Sequence, residues 1–147
     1  MNLILTVGRN QDPAQFGPQP AHVRIERYVP QTLLLPHCDL VLTHGGSGTV
    51  MAALIHGLPL VTVPISADQP ENAARCAALG VGRVAAAADA TAETIRHAVR
   101  TVLADPAYRR NAERLGDEIS RLPGPDQAVP LLEQLAGERR LLPAAKA

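Results

Sequence analysis

Aromatic residues are scarce in this chain of 147 residues: there is no tryptophan, and two tyrosines and one phenylalanine make up 2% of it. Proteins that hold nucleic acid line the backbone with positive charge and stack bases on aromatic platforms. With a formal net charge of zero as well, nothing argues for nucleic acid as a partner. Lysine is scarcer still. Of 14 basic residues all but Lys146 are arginine, which removes the ATP-hydrolysing loop, whose lysine must stand directly before Ser or Thr. Cysteine is limited to Cys38 and Cys76, far apart and in no CxxC pair. They read as two small buried hydrophobes in a reducing compartment, with no constellation of metal ligands around them. No run of about 18 apolar residues is available to span a bilayer, and the first residues lack the charged start and apolar stretch of a secretory signal. The expectation is a soluble cytoplasmic protein of one domain, long enough to bury roughly two-thirds of its unfolded surface.

What is present is a glycine-rich turn in the right setting. Leu40-Val41-Leu42 leads into Thr43-His-Gly-Gly-Ser-Gly-Thr49, and helix-like sequence follows. Glycine lets backbone N–H groups approach an anion closely, and a helix starting at Ser47 or Gly48 adds its unpaired N–H groups and positive dipole end. This is the chemistry of a diphosphate cradle. It is not the dinucleotide fingerprint, because a pattern begun at Gly46-Ser47-Gly48 needs its third glycine where Met51 stands.

Around that turn, short apolar runs alternate with helical patterns. Strands are expected at Leu3–Val7, Val23–Val29, Leu40–Thr43, Leu60–Val63 and Val81–Ala86. The second pair is apolar and β-branched enough for central parallel strands. Asn10 to Pro20, with three prolines and a glycine, reads as loop. Helices are expected at Thr49–His56 with Gly57 as its stop, at Asp68–Leu79 ending at Gly80, from Thr91 onward, from Asp105-Pro106, and around Val129, Leu132 and Leu135 before Gly137. The result is an α/β protein, Rossmann-like and doubly wound with a mostly parallel sheet, occupying residues 1–137 and followed by a frayed tail over 138–147.

The stretch from Tyr28 to Gly82 resembles the donor-binding half of GT-B glycosyltransferases of the macrolide, antibiotic and glucuronosyl transferase superfamily. The elements that carry the resemblance are Tyr28-Val-Pro-Gln31, Leu34-Leu-Pro-His37-Cys-Asp39, the Thr43–Thr49 turn, Gly57-Leu-Pro59, and Ala67-Asp-Gln-Pro-Glu-Asn72, in that order. A looser likeness runs on through Arg121-Leu-Pro-Gly-Pro125. The resemblance implies a nucleotide-diphospho-sugar donor, thymidine or uridine diphosphate, with no separate cofactor and no metal.

Residue by residue, the resemblance implies that Tyr28 stacks on the pyrimidine and that Gln31 helps to fix it. His44 then faces the diphosphate, with Gly46, Ser47, Gly48 and Thr49 as the loop and helix start around it, stabilising charge on the leaving group. Asp68 and Gln69 hold sugar hydroxyls. Each has a plainer reading: a core-edge aromatic for Tyr28, a turn-capping histidine for His44, helix caps for Ser47 and Thr49, and a capping box of Asp68 with Glu71. His37, His56 and His97 read as surface or packing residues.

Two departures from the family pattern matter. Where many uridine-diphosphate-sugar members carry a glutamate for the ribose diol, this chain has Ala52, which favours a deoxyribose nucleotide. Family donor domains also begin with a strand, glycine loop and helix before the strand like Leu3–Val7; in the order 3-2-1-4-5-6 that first strand is central. It and the acceptor domain with its catalytic base are expected to be missing. The resulting expectation is the donor-binding part of an inverting glycosyltransferase acting on a hydroxyl of a small lipophilic acceptor, inactive without an acceptor domain or partner and prone to self-association. The competing readings are a non-catalytic nucleotide-sugar-binding or regulatory module, a split-enzyme subunit, and, less well matched by Asp68-Gln69, a nucleotide-sugar epimerase.

Overall fold

The computed structural model describes residues 1–138. The expected tail over 138–147 falls outside these from residue 139 on. The described residues hold five short strands: β1 (Leu3–Thr6), β2 (Val23–Glu26), β3 (Val41–Thr43), β4 (Leu60–Thr62) and β5 (Gly82–Val84). Six helices go with them: α1 (Gln31–Leu34), α2 (Ser47–Ile55), α3 (Gln69–Ala78), α4 (Ala92–Ala104), α5 (Pro106–Ser120) and α6 (Ala128–Glu138). The proline-rich loop is irregular except for a single 3-10 turn at Pro13–Phe16.

Every strand pair is parallel, but the strands form two sheets, β1-β2 and β3-β4-β5. In the order 3-2-1-4-5-6 one strand would stand between β1 and β3; among the described residues none does, so both present an unpaired edge.

The larger sheet is covered on both faces, and β4 shows how. Successive side chains on a strand point to opposite faces. Leu60 belongs to a cluster with Leu54, Leu58, Val81 and Ala112, on the side of α2 and α5, while Val61 meets Ala98 and Val102 of α4. All three residues of β4 are buried, including Thr62, whose hydroxyl donates to the Arg83 carbonyl at 3.3 Å.

α4 and α5 begin, and α2 ends, where the sequence signals stand, whereas α1 had no such signal and α6 runs through the expected stop at Gly137 to Glu138. Thr91 caps α4 in a reciprocal box with Thr94. Asp105 accepts from the Ala107 N–H at 2.9 Å at the start of α5, with Pro106 in the first turn, where its missing N–H costs nothing. Gly57, at φ 63°, closes α2 in the left-handed conformation that an L side chain resists.

Candidate functional site

The predicted site residues come from three segments and lie at one end of the strands. β3 ends at Thr43 and its turn delivers His44, Gly45 and Gly46 to the head of α2. Gly45 takes φ 91° and is buried; a Cβ there would stand 3.3 Å from the Gln69 carbonyl oxygen and 3.8 Å from Thr62 Cγ2. The turn is thereby packed directly on the start of α3. Its N–H donates to the Thr43 hydroxyl at 3.3 Å and its carbonyl accepts from Asn72 Nδ2 at 3.0 Å.

His44 folds its ring back over the α-carbon of Gly46: a Cβ at that position would meet Nε2 at 2.6 Å. Any side chain at 46 would displace the imidazole. Gly46 is also the N-cap of α2, with no side-chain cap bond, so the Ser47, Gly48 and Thr49 N–H groups are left for a ligand or water. The capping readings of Ser47 and Thr49 therefore do not apply. The Thr49 hydroxyl instead faces Gln31, whose Nε2 lies 3.2 Å away. That bond ties the head of α1 to the first turn of α2.

Asp68 does not form the capping box. Its backbone is already helical, at φ −78° and ψ −5°, and its side chain makes no cap bond; Oδ2 instead accepts from Asn72 Nδ2 at 2.9 Å. Gln69 is more constrained than its sequence suggests. Its Oε1 accepts from the Ile65 N–H at 2.9 Å and the Ser66 N–H at 3.1 Å. Two backbone donors aimed at that atom identify it as the oxygen and leave the amide NH2 as the outward-facing end. Between them Ala67 stands at φ 56°, an uncommon conformation for a residue with a Cβ.

Tyr28 is 52% exposed, which sets aside the core-edge reading. One face of its ring carries the Arg9 guanidinium, 3.9 Å from the ring centroid, a cation–π contact. Nothing in the sequence marked Arg9 as a neighbour of Tyr28, nor Asn72 as a link between two segments. Only the spacing of Asn72 four residues after Asp68, one helical turn, was visible in advance.

The site residues are exposed or half-buried and lie on an open face. Ala52 is half-buried against the core. His37, His56 and His97 are exposed. Burial raises the Cys76 thiol above its ordinary value; Cys38, raised by burial and then by neighbouring Asp39, is half-buried rather than buried. No described helix is long and apolar enough to cross a membrane.

The chain has counterparts among known proteins. The family model for the C-terminal domain of erythromycin biosynthesis protein CIII-like proteins matches residues 1–135. The chain belongs to this family. It is a C-terminal donor-side domain of the GT-B antibiotic glycosyltransferases. The domain is 40% identical over 132 residues to 4'-demethylrebeccamycin synthase of Lentzea aerocolonigenes, covering 90% of this chain and 31% of that protein. It is 35% identical over 134 residues to demethyllactenocin mycarosyltransferase of Streptomyces fradiae, covering 91% and 29%. Among solved structures, glycosyltransferase VinC in complex with DTDP superposes with a TM-score of 0.83 at 27% identity, covering 93% of this chain and 42% of that one. The donor-side domain thus spans about a third of the length of the curated relatives it matches.

Proposed function

We propose that residues 1–137 bind a nucleoside-diphosphate sugar as the donor part of an inverting glycosyltransferase that acts on a hydroxyl of a small lipophilic acceptor. The observation that carries this reading is the packing of Gly45 against Gln69, which sets the uncapped head of α2 beside Asp68 and Gln69. A diphosphate at the α2 head then has its sugar within reach of the Asp68 carboxylate as acceptor and the Gln69 amide as donor. The α2 N–H groups and His44 stabilise the charge that builds on the diphosphate as the sugar–oxygen bond breaks. The base lies on the free face of Tyr28. VinC, seen with DTDP, supports the choice of a diphosphate, and Ala52 favours thymidine over uridine diphosphate because it offers a ribose diol nothing to bond.

Acceptor binding and the base that deprotonates the acceptor are assigned to parts outside these residues, so the 147-residue chain is expected to bind donor without transferring sugar. Proximity of both substrates is a large part of the rate in such reactions. Calorimetry tests the site directly. Thymidine diphosphate should bind more tightly than the monophosphate, and His44→Ala should weaken the diphosphate preferentially, by about 1.5–3 kcal/mol for one charge-assisted hydrogen bond. Equal affinity for mono- and diphosphate in the folded wild type would remove the assignment.

A further inference from the structure

Asn72 belongs to the donor-side motif but has no role in the reading above. It lies in the first turn of α3, half-buried, and its side-chain nitrogen makes two hydrogen bonds that reach opposite halves of the site. One goes to the Gly45 carbonyl at 3.0 Å, the other to Asp68 Oδ2 at 2.9 Å. An amide nitrogen carries two hydrogens, so both are engaged and neither remains for a ligand. The Gly45 carbonyl belongs to a buried residue whose only other hydrogen bond among the described residues is from its N–H to the Thr43 hydroxyl. The Asp68 side chain, on an exposed residue, has no other hydrogen-bond partner among the described residues. Few side chains could serve both. Aspartate has the shape but no hydrogens, serine has one, and glutamine is a methylene longer.

We propose that Asn72 is the positioning residue that couples the two halves of the donor site. By holding the glycine turn and the Asp68 carboxylate from one nitrogen, it makes the grip on the sugar depend on the turn that receives the diphosphate. The inference rests on the donor reading and adds to it that the two subsites are energetically linked through a residue that touches neither ligand. It also accounts for the helical backbone and absent cap bond at Asp68: the carboxylate is turned back along α3 by Asn72 and leaves Oδ1 for a hydroxyl.

The test is a double-mutant cycle on the 147-residue chain, read by calorimetry with thymidine diphosphate and thymidine-diphosphate glucose. In the wild-type background Asp68→Ala should weaken the sugar nucleotide roughly tenfold and leave the plain diphosphate nearly unchanged. In the Asn72→Ala background the same step should cost about threefold or less, since the carboxylate is no longer held in place. Asn72→Leu, which keeps the size but loses both hydrogens without adding charge, should reproduce Asn72→Ala and replaces it in the cycle if that variant melts too early. The Gly45 and Gly46 amide resonances should move in both variants before any ligand is added. If the wild type binds neither nucleotide, the donor reading falls and the coupling with it. If the wild type binds both but the Asp68→Ala step costs the same in each background, the coupling alone is wrong; if that step costs nothing in the wild type, the Asp68 sugar contact falls and the coupling with it.

Discussion

β1 and β4 are nearly the same strand in composition, Leu-Ile-Leu-Thr against Leu-Val-Thr, and they end in opposite environments. Every residue of β4 is buried, whereas Leu3, Ile4 and Leu5 of β1 are 41–42% exposed. No residue before Leu35 is buried at all. The difference comes from neighbours. β4 lies between β3 and β5 with helices on both faces, while β1 pairs only with β2. An apolar strand is therefore a statement about the environment a segment suits, and the cover has to come from elsewhere.

The largest effect should come from truncating matched leucines. Leu60→Ala leaves a cavity in a closed core and is expected to cost about 2–5 kcal/mol. Leu5→Ala should cost about 1 kcal/mol or less, since its side chain is already partly in water. Thermal melts of the two variants check the contrast, and equal losses would mean that β1 is covered in solution. Hydrogen exchange should sharpen it further. The β4 amides should open only with the whole domain, and those of β1 and β2 through a smaller local event at least tenfold faster, seen by proton exchange in deuterated buffer. The smallest effect on stability should be Ile4→Lys, within about 0.5 kcal/mol. A charge on an open strand discourages edge pairing, so the same variant should lower any concentration-dependent growth in light scattering. Scattering that does not change would place self-association elsewhere than β1.

Much of this contrast was out of reach of the sequence, although the strands were not. Alternation and glycine stops locate every strand, yet β2 ends at Glu26 rather than Val29. β5 ends at Val84 rather than Ala86, because its partner β4 stops at Thr62, leaving only Ala85 N–H to bond the Thr62 carbonyl. Strand length is set by the shorter partner, a property of pairs. The division into two sheets was foreshadowed only by the family's strand order. For the site, the glycine turn and its helix were legible from local chemistry, since the left-handed backbone at Gly45 and the helix head are both local. The Asp68 pattern was ambiguous because Asp-x-x-Glu suits a cap and a ligand site equally; Asn72, four residues on, orients the carboxylate, and is itself tied to Gly45 by a contact across 27 residues that no spacing rule reports. Arg9 over Tyr28 is another such contact.

Ala67 carries a consequence for how the site moves. Its left-handed backbone opposes the local arrangement by about 1 kcal/mol, and the two hydrogen bonds from Ile65 and Ser66 to Gln69 hold it there. The 65–69 turn thus behaves as a loaded spring with Gln69 as its catch. Loss of the two Oε1 bonds would release the catch, and Ala67 would then relax to the right-handed side, carrying Asp68 with it. Movement of Asp68 would then begin at the backbone of residue 67, while the glycine turn, packed against α3, keeps its place.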